Sequence, residues 1–337
     1  MAVKRISLAL QGGGAHGAFT WGVLERLLEE ESLEVAAISG TSAGALNGAA
    51  YKSGWLEAGR AGARANLDWL WSQMGAVGDM RMPAWMAGTL AGQMTQALEV
   101  SPQFLVADAM TRVVSPYAYG PFYRNPLERI AEAFHYERVC AEAEPALFVG
   151  ATNVHSGKIR VFEGAEISTR SLLASACLPT LFQAVEIDGA HYWDGGYTGN
   201  PALFPLFRGD LPADIVVVNI NPLERPEVPR SPQEIQNRIN EVSFNSSLLR
   251  ELRAISFVQR LLDEGRVPEG SMKRLHVHMI ADDEVMRSLS VATKLVPTPL
   301  TLSRLKAAGR AAAEAFLEAH LEDIGARGTA DLEAMFD

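Results

Sequence analysis

The sequence predicts an α/β fold with a mainly parallel central sheet covered by helices. Two consecutive strand–tight turn–helix units at the N-terminus lead to this reading, and further short apolar strands recur along the rest of the chain. The first unit has Arg5 to Leu10 as a buried strand, glycines at 12 to 14, and a helix from Ala18 to Glu30 that repeats apolar residues through Trp21, Leu24, Leu27 and Leu28. The second has Val35 to Ser39 as strand, Gly40-Thr41-Ser42-Ala43-Gly44 as turn and Ala45 to Tyr51 as helix. Further strands are expected at 146–152, 158–162, 185–188, 214–220 and 275–280, from their length and β-branched residues. Long helices are expected at about 234–264 and 302–324, the first preceded by a proline-rich connector at 221–233.

Bulk composition narrows the function classes. The 337 residues are 48% hydrophobic and carry a net charge of −10, which argues against nucleic acid and against electrostatic capture by anionic lipid. Any membrane contact must therefore be apolar and peripheral, since no stretch approaches the roughly 20 apolar residues of a spanning helix. Cys140 and Cys177 are the only cysteines, too few for a disulfide framework and without zinc spacing. Ile6 to Leu10 is too short for a signal-peptide core and runs directly into glycines, so a cytoplasmic protein is expected.

Gly12 to Gly17 fits G-x-G-x-x-G between a strand and a helix, the context of a dinucleotide-binding turn. That reading also asks for an acidic residue about 20 positions on, at the end of the next strand. Here that strand ends in Ser39-Gly40-Thr41-Ser42, so no nucleotide is expected.

Gly40 to Gly44 fits G-x-S-x-G between strand and helix, the setting of a nucleophile elbow. Small residues flank the serine because the turn is strained, and the helix N-terminus beyond it favours a developing anion. The competing reading is a glycine-rich turn whose serine only caps the helix. A serine nucleophile needs a base, yet none of the histidines at 16, 135, 155, 191, 276, 278 and 320 stands in a recognisable triad setting. Asp194, followed by Gly195 and Gly196 after a short strand and hairpin turn, is the alternative.

Together these blocks resemble the patatin-like phospholipase family. The glycine-rich loop at 12–17, Gly-Thr-Ser-Ala-Gly at 40–44 and Asp-Gly-Gly at 194–196 occur in the family's order, with Ala174 to Pro179 and Phe182 like its stretch leading to the aspartate. The resemblance implies a three-layer α/β/α fold, with a catalytic core over 1–220 and a C-terminal helical extension over 221–337 packed on it, one further strand lying near 275–280. It implies Ser42 as nucleophile, Asp194 as its base partner, Gly12, Gly13 and Gly14 as the oxyanion loop, and lipid esters as substrates. No metal or cofactor is needed in such a reaction. A hydrolase of another hydrophobic ester, such as an intracellular polyester, and a non-catalytic scaffold are the alternatives.

His16 stands where many family members carry Arg or Lys, so a fixed charge gives way to a group that titrates near pH 6.5. It is expected to tune the oxyanion loop or to cap the following helix. Residues 69–94 interleave Trp69, Trp71 and Trp85 with five methionines. They serve either as irregular core or, through Trp85 and Met86, as the acyl-chain entrance and membrane contact.

Overall fold

The computed structural model describes residues 3–75, 115–268, 270–289, 293–294 and 297–336. Eight strands form one sheet: β1 (Lys4–Leu10), β2 (Leu33–Thr41), β3 (Ala146–Asn153), β4 (Ile159–Glu163), β5 (Val185–Ile187), β6 (Ala190–Asp194), β7 (Asp214–Val218) and β8 (His276–Ile280). Their order is β5-β6-β3-β2-β1-β7-β8, with β4 also paired to β3. From β3 through β2, β1 and β7 to β8 every pairing is parallel, while β4, β5 and β6 run antiparallel to their neighbours.

Apolar residues of the inner strands are buried on both faces, the signature of a sheet covered on both sides. On β1, Ile6, Leu8 and Leu10 enter one core while Ala9 enters the other. On β7, Val216 and Val218 face the first core, and Ile215 and Val217 the second. Helices α1 (Gly17–Leu27), α2 (Ala43–Gly75) and, late in the chain, Pro299–His320 contribute to the first core. The second is closed by Leu248, Leu252 and Ile255 of the helix Pro232–Asp263. Between these lie α3 (Glu128–Glu132), α4 (Tyr136–Val139) and α5 (Thr169–Ser175); Pro232–Asp263 is then α6, Asp283–Arg287 is α7 and Pro299–His320 is α8.

The structure departs from expectation in α2, which runs on to Gly75 rather than stopping at Tyr51. It breaks at Ala58 and Gly59, where φ is −148° and +58°; the second value is one that glycine adopts without penalty. The chain then doubles back, with Gly54 and Gly62 so close that a Cβ on either would strike the other's backbone. Small residues at 54, 58, 59 and 62 thus allow a hairpin of two close helices, where the sequence suggested a helix ending at Tyr51. Trp69, Trp71 and Met74 fall on its second arm, and Trp71 is buried against Trp21, with ring centroids 6.2 Å apart. This portion of the Trp/Met segment is therefore core, whereas Trp85 and Met86 lie outside the described residues.

The sheet and the first core extend across position 220. β8 adds to β7 in parallel, and α8 buries Leu302, Leu305, Ala313, Phe316 and Leu317. Gly309 of α8 meets the Phe19 backbone, and Gly22 of α1 meets Lys306 and Arg310, so the two helices approach backbone to backbone. Among the described residues no helix is long and apolar enough to cross a membrane.

Candidate active site

The strand pairing explains why residues 42 and 194 meet. β2 runs parallel to β3 and ends with Thr41 opposite Gly150. β6 runs antiparallel to β3 and ends with Asp194 opposite Ala151. Because β4 occupies one edge of β3 as far as Thr152, β6 lies on the edge that β2 has just vacated. The C-terminal ends of β2 and β6 therefore point at one another across a single residue step. Thr41 Oγ1 donates to the Gly199 carbonyl at 2.7 Å and Thr152 Oγ1 to the Asp194 carbonyl at 2.8 Å, which fixes the junction.

Ser42 has φ of +55°, a conformation rare for any residue with a side chain and typical of a strained elbow. The surroundings enforce it. Gly44 passes so near the Leu10 carbonyl that a Cβ there would collide, and a Cβ on Gly12 would lie 2.7 Å from Ser42 Cβ. The Ser42 N–H donates to Ser175 Oγ at 2.9 Å, and Ser175 Oγ donates to the Gly150 carbonyl at 2.6 Å. Helix α2 starts at the next residue, with its positive end toward the serine.

Asp194 is 1% exposed. Its Oδ1 accepts the Gly196 N–H at 2.8 Å, its backbone N–H donates to the Cys177 carbonyl at 2.8 Å, and Oδ2 has no hydrogen-bond partner among the described residues. Burial pushes the carboxyl up to about 7, against the opposing pull of the Gly196 N–H and the Ser42 hydroxyl. Ser42 thus lies close enough to bias the carboxyl, though without a hydrogen bond of good geometry in this state. A carboxylate near 7 is a far better base than one near 3.9.

The glycine loop is held by a buried amide network. The Gly12 N–H donates to Asn200 Oδ1 at 2.6 Å, and the Gly12 carbonyl accepts Asn221 Nδ2 at 2.9 Å. Gln11 Oε1 accepts Ile220 N, Asn221 N and Asn221 Nδ2, while its Nε2 donates to Asn245 Oδ1 and the Asn200 carbonyl. The expectation that Gly12 supplies an oxyanion donor is therefore corrected: its N–H is committed to Asn200. Neither the Gly13 nor the Gly14 N–H has an acceptor among the described residues. Gly14 adopts φ of +58° and sits so close to the Lys294 carbonyl that a side chain there would clash.

His16 also departs from expectation. It is 2% exposed, its Nε2 lies 2.8 Å from Thr293 Oγ1, and burial together with the Lys294 ammonium holds its pKa well below the ordinary value. It makes no side-chain cap of α1. It is a buried neutral imidazole, and the charge beside the loop comes from Lys294 instead. The other histidines pair elsewhere: His135 with Glu137, His155 with His191, His276 and His278 with Asp214, and His320 with Asp323.

Sequence reading missed Ser175, Asn200, Asn221, Gln11 and Lys294. One signal was available: Asn219 and Asn221 interrupt an apolar strand at its C-terminal end, the edge of a parallel sheet where sites form.

The sequence model of the patatin-like phospholipases matches residues 8–207. The chain belongs to the patatin-like phospholipase family. Two solved structures align along this patatin-like chain. VipD from Legionella pneumophila is 15% identical over 95% of this chain and 67% of its own, with a TM-score of 0.44. A chain of the heterodimeric ExoU–SpcU complex from the type III secretion system of Pseudomonas aeruginosa is 17% identical over 99% of this chain and 74% of its own, with a TM-score of 0.31. No curated protein matches. Family membership makes this patatin-like protein a hydrolase with lipid substrates.

Proposed function

We propose that the protein is a serine acyl hydrolase of the lipase or phospholipase A type, which cleaves carboxylic esters of lipids with a Ser42–Asp194 dyad. The observation that carries this reading is a strained serine beside a buried carboxyl that keeps one oxygen unpartnered among the described residues. In the first half-reaction Asp194 Oδ2 takes the Ser42 proton as Oγ attacks the ester carbonyl, and the Gly13 and Gly14 N–H groups stabilise the oxyanion. Collapse expels the alcohol, which takes that proton from Asp194. Water then attacks the acyl-enzyme with Asp194 again as base, and release of the acid restores Ser42. The Gly196 N–H on Oδ1 leaves Oδ2 as the oxygen available for proton transfer.

The test pairs a fluorophosphonate probe, located by mass spectrometry, with a panel of extracted lipids whose products are identified by mass. Labelling of Ser42, with hydrolysis lost in Ser42→Ala and Asp194→Asn, is the expected result. Hydrolysis that survives Ser42→Ala overturns the reading. Polyester granules in the same panel separate lipid esters from other hydrophobic esters.

A further inference from the structure

Lys294 approaches the glycine loop from the C-terminal part of the chain, its own carbonyl packed on Gly14. Its Nζ donates to Asn221 Oδ1 at 2.8 Å, and Asn221 Nδ2 donates to the Gly12 carbonyl at 2.9 Å. The orientation of the Asn221 amide is fixed from both sides. Nδ2 also meets Gln11 Oε1 at 3.1 Å, so turning the amide over would set an NH2 against an ammonium and an oxygen against two oxygens.

The Gly12 carbonyl belongs to the peptide group whose other end is the Gly13 N–H. An ammonium, a side-chain amide and a main-chain amide therefore stand in series, each donating to the oxygen of the next. Hydrogen bonds in such a chain polarise one another, and the effect is strongest where water is excluded. Gly12, Asn221 and Gln11 are all fully or almost fully buried.

We propose that Lys294 is a positioning residue for ester hydrolysis, which strengthens the Gly13 N–H as an oxyanion donor through the relay Lys294–Asn221–Gly12. The proposal rests on the acyl-hydrolase reading above. The relay acts on the transition state more than on bound ester, because only the oxyanion carries the charge that the polarised N–H answers.

The other charged and titratable groups around Lys294 leave it free for this task. His16 is buried, neutral and bound to Thr293. Glu241 favours the ammonium but is itself held by Arg225 at 2.6 and 2.8 Å and by Arg238 at 3.4 Å. Met286 and Leu289, with His16 and Glu241, line the small cavity that Lys294 borders. Burial, reinforced by Arg225, pushes Lys294 down to about 8, so its charge is lost within an accessible alkaline range.

The experiment measures kcat and KM on p-nitrophenyl butyrate from pH 6 to 10 for the full chain, Lys294→Met, Lys294→Arg, Asn221→Ala and the Lys294→Met/Asn221→Ala double variant, each with a melting curve. Lys294→Met is expected to lower kcat about tenfold at pH 7.5 with KM little changed, and to abolish the fall in kcat above pH ~8. Lys294→Arg restores most of the activity and moves that fall to higher pH. The double variant loses little more than Asn221→Ala, because both residues act through one chain. A Lys294→Met kcat within twofold of the parent, or an alkaline fall unchanged in both Lys294 variants, overturns the proposal. Should Lys294→Met melt below assay temperature, the pH profile of Lys294→Arg decides in the same way. Ser42→Ala runs alongside. An active Ser42→Ala overturns the hydrolase reading, whereas an inactive Ser42→Ala with indifferent Lys294 variants overturns only the relay.

Discussion

Asn200 accepts the Gly12 N–H through its side-chain oxygen at 2.6 Å, and it lies six residues after Asp194 in the segment that begins Asp-Gly-Gly. One stretch of chain thus carries the proposed base and also holds the loop that faces the proposed nucleophile. The Ser247 hydroxyl accepts the Asn200 N–H at 3.1 Å, which ties the same stretch to α6. The separation between Asp194 and the glycine loop is accordingly set by a short segment anchored at both ends.

Replacing Asn200 with Ala should damage both stability and rate. The Gly12 N–H would be left buried without a partner, a cost of about 1–3 kcal/mol. A melting temperature lowered by several degrees and a kcat reduced at least about tenfold are expected. Unchanged kinetics in a folded variant would show that the loop keeps its shape without this contact.

The glycine motifs, the serine and the aspartate were legible because each is a local pattern of residues next to one another in sequence. The amide network was not. Gln11 and Asn221 are 210 positions apart, and nothing in either neighbourhood announces the other. His16 misled for a related reason: its exposure, and hence its charge, depends on Thr293 and Lys294, contributed by a segment some 277 residues away. The continuation of α2 past Tyr51 escaped because nothing in the local sequence announces that Gly54 and Gly62 serve the close contact of its two arms.

Ser175 holds the backbone of Ser42, the proposed nucleophile, and Ser175→Ala tests how much that matters. With its acceptor gone the buried Ser42 N–H is unsatisfied, and the strained φ of Ser42 loses one of its restraints. A kcat lowered by about tenfold or more is expected, with slower fluorophosphonate labelling of Ser42 and little change in KM. Equal labelling rates in the two proteins would exclude a role for Ser175 in presenting the nucleophile.

The buried imidazole at 16 makes two substitutions diverge. His16→Gln keeps a polar group that can reach Thr293 and should retain most activity. His16→Arg introduces a permanent charge into a buried site beside the Lys294 ammonium, and should lower the melting temperature and the rate together. Urea titrations of both variants check this. An Arg variant as stable as the parent would mean that position 16 reaches solvent.

In the proposed dyad Asp194 links catalysis to stability, with opposite dependences on pH. Its carboxyl sits at about 7 in the fold and near 3.9 in the unfolded chain, so the fold favours the protonated form. The stability this group contributes is fully present below pH ~4 and declines as pH rises toward 7, by something on the order of 2–4 kcal/mol. Activity should follow the opposite course, because the proposed reaction needs an ionised Asp194: kcat/KM should rise with pH up to a limit set by a pKa of about 7. Asp194→Asn removes the buried charge without changing the shape of the side chain. At pH 8 it should therefore melt several degrees above the parent while hydrolysing no ester, and at pH 4 the two melting curves should nearly coincide. Differential scanning calorimetry at the two pH values, alongside the pH–rate profile, makes the comparison. A variant destabilised at pH 8 would show that the ionised carboxylate is held by contacts stronger than the Gly196 N–H and the Ser42 hydroxyl, and the acid limb of the rate profile would then have to come from another group.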